Sequence, residues 1–149
     1  KIKCVNEIYI DDKKVCGILC EGIVDPKLQR IGAVVVGIGI NISTVNFPDD
    51  ISKTAGSVGS SLIPNGIVAA AICDRLISLA ARNDAEDVIG EYRKRSMVIG
   101  KRVRYARSGQ PFCTGEAIGI DRFGGLIVRE DGGGEITVLS TGEITLRLG

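Results

Sequence analysis

The sequence predicts an α+β protein in which a partial mixed or antiparallel sheet with packed helices precedes a small β-barrel. The first forty residues are rich in Ile and Val and are divided by short polar linkers, which is typical of strands. Residues 65–96 repeat apolar side chains at helical spacing, and from Val98 short apolar runs alternate with glycine-rich turns. We therefore predict two domains, residues 1–97 and 98–149.

The candidate strands of the first part are Glu7–Ile10, Val15–Glu21 and Ala33–Asn41. The polar linker at 11–14 is too short for a parallel crossover, so it predicts an antiparallel hairpin, and Asp25-Pro26 marks a second turn. Because Ala33–Asn41 is almost entirely apolar, we expect this strand to be buried on both faces at the centre of the sheet.

A long loop and two helices follow. Residues 43–65 hold prolines, glycines and many hydroxyl side chains, and loops of this length are usually functional. The first helix is predicted from Asn65, as its N-cap, to Arg82. The second is capped by Asp84 and ends near Ser96. Its buried stripe is expected at Val88, Ile89 and Tyr92.

Five short strands at regular spacing predict a small barrel in the last third of the chain. Gly124-Gly125 and residues 131–134 supply the positive φ angles that tight hairpins need. The strands are predicted at Arg102–Ala106, Gly115–Asp121, Leu126–Glu130, Glu135–Leu139 and Glu143–Leu148.

Composition narrows the classes of function. The 149 residues carry a formal net charge of +1 and no histidine, so imidazole catalysis is excluded. The five cysteines form no CxxC pair, and we expect buried free thiols rather than a metal site. The longest apolar stretch, Ile31–Ile42, is too short to cross a membrane and is interrupted by glycines. A cytoplasmic protein is the resulting expectation.

Three short segments carry candidate chemistry. Lys14, where a polar turn meets an apolar strand, suits a bound anion, although a solvated turn lysine is the alternative. Gly37, Gly39 and Asn41 share one strand face, which favours either a flat ligand or a closely packed helix. Asn6-Glu7 suits a metal-bound nucleotide or, more simply, solvent.

The order and spacing of these segments resemble the biotin protein ligase family. Lys3–Ile10 resembles its Lys-Trp-Pro-Asn-Asp signature and the hydrophobic strand that follows. Lys14–Leu19 resembles its Lys-x-x-Gly-Ile-Leu strand, and Gly37–Asn41 its Gly-x-Gly-Ile-Asn strand. Thr54–Ser57 is similar to a degenerate Ala-Thr-Ser-Leu loop, and Gly142–Arg147 to the C-terminal strand of the family.

The resemblance implies the C-terminal part of a class II aminoacyl-tRNA synthetase-like catalytic domain, followed by an SH3-like domain. Its activity would use MgATP to convert biotin to biotinyl-adenylate and then transfer biotin to a lysine of biotin carboxyl carrier protein. A homodimer is expected from the family, whereas nucleic acid and membrane are not expected partners.

The resemblance also implies roles for individual residues. Lys14 matches the active-site lysine, with an electrostatic role towards the biotin carboxylate and the α-phosphate. Glu7 would also meet Mg²⁺. Biotin would be lined by Lys14, Gly17, Ile18, Gly37 and Gly39. The ATP or adenylate would be bound by Asn6, Glu7, Asn41 and Arg147.

Several departures from the family pattern indicate that the activity of this chain is reduced. Cys4, Val5 and Glu7 stand where the signature has Trp, Pro and Asp, and the Arg- and Gly-rich biotin loop of the family has no counterpart in these residues. We therefore expect this chain alone to be inactive or very weak.

Two alternatives to the ligase remain. One is a non-catalytic truncated paralogue that keeps a ligand-binding or dimerisation scaffold. The other is a nucleic-acid module based on the basic stretch Arg93–Arg107, which acidic residues nearby offset.

Overall fold

The computed structural model describes residues 1–59, 63–82, 84–107, 111–140 and 144–148, with the backbone alone at 107 and 144–148. Two antiparallel sheets and two helices confirm the α+β class. The chain divides into two compact units. One is formed by residues 6–67, and the other by residues 1–5 together with 68–149.

The described elements follow the predicted order, with one short strand, Ile2–Lys3, that was not predicted, and the other differences lie mainly at the ends of elements. The strands are β1 (Ile2–Lys3), β2 (Glu7–Ile10), β3 (Lys13–Asp25), β4 (Arg30–Ile40), β5 (Arg102–Arg107), β6 (Cys113–Ile120), β7 (Leu126–Glu130), β8 (Ile136–Leu139) and β9 (Ile144–Leu148). The helices are α1 (Asn65–Ala80) and α2 (Ala85–Arg95).

Strands β2, β3 and β4 form an antiparallel meander in the 6–67 unit. Asp11 and Asp12 both have positive φ, 48° and 58°, which gives a two-residue hairpin turn the twist that its flanking strands need. The predicted hairpin is confirmed. β3 ends later and β4 begins earlier than predicted. In the turn between them, Gln29 has a φ of 50°.

The expectation that β4 is central and buried is wrong for the described residues. β4 is an edge strand that pairs only with β3 among the described strands, and Val34 and Val35 are 56% and 51% exposed. Its apolar sequence suits a strand covered on both faces, but the described residues supply no covering layer. We call the exposed apolar side chains of these two strands the uncovered hairpin: Leu19, Ile23, Val24, Ile31, Val34, Val35 and Val36.

The helices are placed as predicted, but their burial and capping differ. α1 has no buried residue in the described chain. Asp84 occupies the N-cap position of α2 but makes no capping hydrogen bond, because its carboxylate accepts bonds of 2.6 and 2.5 Å from Arg82. The expected buried stripe is only partly present, since Val88 is 36% exposed while Tyr92 packs against the core.

The second unit contains the main hydrophobic core. Its strands follow the order β8-β7-β6-β5-β9, and all neighbouring pairs are antiparallel. The first residues of the chain belong to this unit, since Met97 N–H donates to Ile2 C=O at 2.8 Å. The core consists of Cys4, Val98, Val103, Tyr105, Ala117, Ile120, Leu126, Val128 and Leu139.

The cysteines are free, as expected, but only two are buried. Cys4 and Cys16 lie in the interior, whereas the expectation of burial is wrong for Cys20, Cys73 and Cys113. The reason is that Cys20 lies on the uncovered β3, Cys73 on the exposed helix α1 and Cys113 at the start of β6. Within the described ranges, no helix has the length and apolarity that crossing a bilayer requires.

Gly115 of β6 lies close to the backbone of β7. A Cβ atom added there would lie 2.4 Å from the carbonyl oxygen of Arg129 and 2.7 Å from Val128 Cγ1. We expect Gly115→Ala to lower the free energy of unfolding by about 3 kcal/mol, because backbone cannot yield as a flexible side chain does. Urea denaturation measures this.

The matched control is Gly119→Ala on the same strand, where the added Cβ would meet only Ile127 Cδ1 at 3.8 Å. It should change stability by less than about 1 kcal/mol. Equal effects of the two substitutions would contradict the close approach.

Candidate active site

A β-bulge in β3 organises the candidate site. Glu7 pairs with Gly17, but two residues further along β2 Tyr9 pairs with Lys14, so Val15 is the extra residue. Directly opposed residues of an antiparallel pair share a face, and a bulge changes which face the following side chain occupies. Lys14 therefore lies on the face of Glu7, Tyr9 and Gly17. Regular alternation would have placed it on the opposite face.

The Lys14 side chain lies over a stretch of bare backbone. A Cβ atom at Gly17 would be 3.6 Å from both Lys14 Cε and Nζ. Gly39 is the direct partner of Gly17, and Gly37 is the partner of Leu19 on the same face. An added Cβ at Gly39 would meet nothing closer than 4.0 Å. Packing against a helix, the alternative explanation for these glycines, is not seen among the described residues.

Glu7 joins Lys14 to Tyr9. Lys14 Nζ donates to Glu7 Oε1 at 2.5 Å, and the Tyr9 hydroxyl donates to Glu7 Oε2 at 3.1 Å. Burial, reinforced by the Glu7 charge and hydrogen bond, raises the pKa of the Tyr9 hydroxyl, while Lys14 opposes this. Tyr9 was not identified from the sequence. The only available signal was its position two residues after Glu7 on a strand.

The predicted site residues Asn6 and Ile18 are brought together by hydrogen bonds. The Asn6 side-chain amide donates to Ile18 C=O at 2.6 Å, and Ile18 N–H donates to Asn6 C=O at 2.9 Å. Ile18 pairs with Ile38, so its side chain lies on the face opposite Gly17. Within this geometry, Ile18 contributes to the Lys14 face through its backbone.

A second set of hydrogen bonds attaches residues 54–59 to the site. Lys14 N–H donates to Thr54 C=O, and Gly56 N–H donates to Lys14 C=O, each at 2.8 Å. The Asn41 amide donates to Gly56 C=O at 3.0 Å. The Ser57 hydroxyl lies 2.7 Å from Ile42 C=O. We call residues 54–59 the strap. Resemblance to the family loop pointed to it, but its hydrogen bonds could not be read from the sequence.

Cys4, which stands at the tryptophan position of the signature, is buried in the hydrophobic core. Cys4 is 3% exposed, and the Tyr92 hydroxyl lies 3.2 Å from its sulfur and 3.2 Å from Val5 C=O. Burial raises the pKa of the Cys4 thiol, although the Tyr92 hydrogen bond lowers it. Burial also raises the pKa of Cys16, against an opposing effect of Lys14. Neither thiol is therefore activated as a nucleophile.

Two further features bear on the predicted site residues. A cleft of about 460 Å³ is lined by Lys13, by the β2–β3 turn and by parts of 45–57, but none of the predicted site residues lines it. Arg147 pairs its backbone with Arg104, while its side chain lies outside the described part. The role of Arg147 stays a prediction.

Four of the seven basic residues at 93–107 form ion pairs in the described structure. Glu91 accepts from both Lys94 and Arg95, at 2.9 and 3.3 Å. Arg93 pairs with Glu86 at 3.1 Å, and Arg102 pairs with Asp131. Paired cations attract phosphate less strongly, which weakens the nucleic-acid hypothesis.

Comparisons of this chain with known proteins find matches in one family. A family model for the biotin protein ligase C-terminal domain matches residues 98–147. The biotin--[acetyl-CoA-carboxylase] ligase of Mycobacterium tuberculosis is 30% identical over 152 residues, covering 96% of this chain and 52% of that protein. The bifunctional ligase/repressor of Escherichia coli is 26% identical and covers 94% and 46%. The chain thus spans about half the length of the curated relatives it matches.

Solved structures give the same result. The apo biotin protein ligase of Aquifex aeolicus matches 99% of this chain and 65% of that chain at a TM-score of 0.76, with 23% identity, and so supports the fold. A mutant of the same enzyme in complex with biotin matches 98% and 60%, with a TM-score of 0.74 and 25% identity.

These matches show that the chain is similar to proteins of the biotin protein ligase family. The similarity is to the C-terminal part of those ligases, which confirms the resemblance read from the sequence.

Gly56 allows the strap to approach Lys13. A Cβ atom at Gly56 would lie 2.6 Å from Lys13 Cβ, so we expect Gly56→Ala to displace the strap. The amide protons of Lys14 and residue 56 should then exchange with solvent roughly fivefold faster, since each loses a hydrogen bond of about 1 kcal/mol. Hydrogen exchange measured by NMR tests this.

Gly66→Ala is the control, because an added Cβ there meets nothing within 4 Å and lies in helix α1. It should leave exchange at Lys14 unchanged. Unaltered exchange in Gly56→Ala would show that the strap does not depend on this glycine.

Proposed function

We propose that the chain contributes the lysine-bearing half of an ATP-dependent biotin ligase site. The reaction is ligation of biotin to a lysine of biotin carboxyl carrier protein through biotinyl-AMP. The observation that carries this proposal is the bulge at Val15, which sets Lys14 over Gly17 and beside the open backbone of Gly39. A cation above bare backbone suits a flat ligand with an anionic end.

In the first step, a biotin carboxylate oxygen attacks the α-phosphorus of ATP and pyrophosphate leaves. Lys14 is proposed to attract the carboxylate and to stabilise negative charge developing on the phosphoryl oxygens. In the second step, the carrier amine attacks the acyl carbon of biotinyl-AMP, AMP leaves and the amine loses a proton. The backbone of Gly17, Ile18, Gly37 and Gly39 is proposed to line the biotin.

The nucleotide is proposed to lie near Asn6, Glu7 and Asn41, and a contribution from Arg147 stays the expectation drawn from the family resemblance. The side-chain amides of Asn6 and Asn41 both donate to backbone carbonyls, so these residues also stabilise the local backbone. The described residues do not form a magnesium site by themselves. They contain no group of three His, Cys, Asp or Glu side chains that could hold a metal ion, and Glu7 already accepts from Lys14 and Tyr9.

We further propose that other residues complete the site, and that this chain alone forms little biotinyl-AMP. The uncovered hairpin supports this, since large apolar surfaces are normally buried against another layer. A cytoplasmic location, a homodimer, an SH3-like 98–149 domain and a class II synthetase-like 1–97 domain also stay proposals. The family match beginning at residue 98 supports the domain boundary.

A non-catalytic scaffold is the second candidate function. The close ion pair between Lys14 and Glu7 favours it, because it engages the cation that an anionic substrate would need. Biotin-dependent exchange of pyrophosphate into ATP, followed by labelling of a carrier domain, separates the two candidates. The full-length gene product is the material for both assays, and absence of exchange and of labelling would exclude the ligase.

In that protein, Lys14→Ala should reduce the exchange rate roughly 100-fold or more, because charge stabilisation in the transition state is lost. Lys13→Ala is the matched control, since Lys13 is the adjacent lysine and pairs with Ile10 on the opposite face. It should retain the rate within about twofold while thermal unfolding stays unchanged in both. Equal rates in the two variants would contradict the assigned role of Lys14.

A further inference from the structure

Tyr9, Glu7 and Lys14 form a continuous row of hydrogen bonds on one face of the sheet. Tyr9 and Glu7 are two residues apart on β2, so their side chains lie on the same face. The bulge brings Lys14 directly opposite Tyr9. One oxygen of Glu7 accepts from the ammonium at 2.5 Å and the other accepts from the tyrosine hydroxyl at 3.1 Å.

Two donors restrain the carboxylate of Glu7 more closely than one. A glutamate held at a single oxygen keeps freedom about its terminal torsion, whereas two donors on different oxygens determine the carboxylate plane. The side chain at this position is one methylene longer than the aspartate of the resembled signature, so it has one more torsion to restrain. Glu7 and Lys14 are only partly shielded, with side chains 22% and 43% exposed, and solvent alone would not hold them in place.

The Tyr9 hydroxyl is suited to this restraint. Burial and the adjacent carboxylate both raise its pKa, so it stays protonated and donates to Glu7 throughout the neutral range. Lys14 in turn lies over Gly17, where a displacement of the carboxylate would move the ammonium across open backbone.

We propose that Tyr9 is a positioning residue: by donating to Glu7 it holds the carboxylate that sets the Lys14 ammonium over Gly17 for adenylate formation. This rests on the proposed function. Tyr9 acts through Glu7 and touches neither substrate. Its loss should therefore lower the rate with saturating substrates and leave the KM for ATP little changed.

The first test does not depend on activity. The chain is treated at fixed pH with an amine-acetylating reagent, and labelling of Lys14 is compared with that of exposed Lys27 by mass spectrometry. In Tyr9→Phe, Lys14 labelling should rise roughly fivefold, the effect of losing one hydrogen bond. Tyr105→Phe is the control. It removes a tyrosine-to-glutamate hydrogen bond, to Glu130, in the other unit and should leave Lys14 labelling unchanged.

The second test asks whether Tyr9 acts through Glu7. Glu7→Gln should itself raise Lys14 labelling, and adding Tyr9→Phe in that background should change it no further. Independent, additive effects would show that Tyr9 acts through general structure, and would overturn the proposal. If Tyr9→Phe proves unstable by circular dichroism, Tyr9→Met replaces it in both backgrounds, with the same expected outcomes.

The third test measures biotin-dependent pyrophosphate exchange in the full-length gene product. Tyr9→Phe should lower the saturated rate roughly fivefold with the KM for ATP within about twofold. Unchanged Lys14 labelling, or raised labelling with an unchanged exchange rate, would overturn the positioning role. Absence of exchange in the unmodified protein would instead reject the proposed function, and the labelling tests would still decide whether Tyr9 positions Lys14.

Discussion

The extra residue in β3 is the constraint on which the candidate site depends. Val15 is 2% exposed and interrupts the register between β2 and β3, so Lys14 moves to the face that carries Glu7, Tyr9 and Gly17. Without the bulge, the period of two along a strand would have separated these groups onto opposite faces. A one-residue irregularity in the backbone thus decides whether an ammonium, a carboxylate and a bare strand surface meet.

The strap pairs with β3 next to the bulge. A bulge disrupts the local ladder, and unpaired backbone groups in a partly buried strand are unfavourable. The N–H of Lys14 donates to Thr54 C=O, and the C=O of Lys14 accepts from Gly56 N–H. The strap is also held by a hydrogen bond from the Asn41 amide. The long loop after β4 therefore has a structural role at the site, attaching itself to the lysine by main-chain bonds that do not depend on side-chain identity.

The signature segment is divided between two tasks. Cys4 lies in the core that includes Val98 and Tyr105, whereas Asn6 and Glu7 belong to the unit that holds Lys14. Replacement of the signature tryptophan by cysteine thus places a small apolar group in a packed interior, where the Tyr92 hydroxyl contacts it. By contrast, the replacement of the signature aspartate by Glu7 lies in the candidate site. The longer side chain of Glu7 accepts hydrogen bonds from both Lys14 and Tyr9.

The sequence by itself determined the α+β class, the order of the elements, the family and the spacing that brings Glu7, Lys14 and the glycines of β4 into one region. Local signals suffice for these, because polar turns, strand periodicity and motif order are properties of neighbouring residues. The edge position of β4 and the exposure of the uncovered hairpin were decided only by tertiary structure, because an apolar strand has the same pattern whether or not a layer covers it. The bulge, the hydrogen bond of the Tyr9 hydroxyl and the hydrogen bonds of the strap also could not be read from the sequence. Each depends on which residues face one another across strands, and a shift of one residue in register leaves the sequence pattern unchanged.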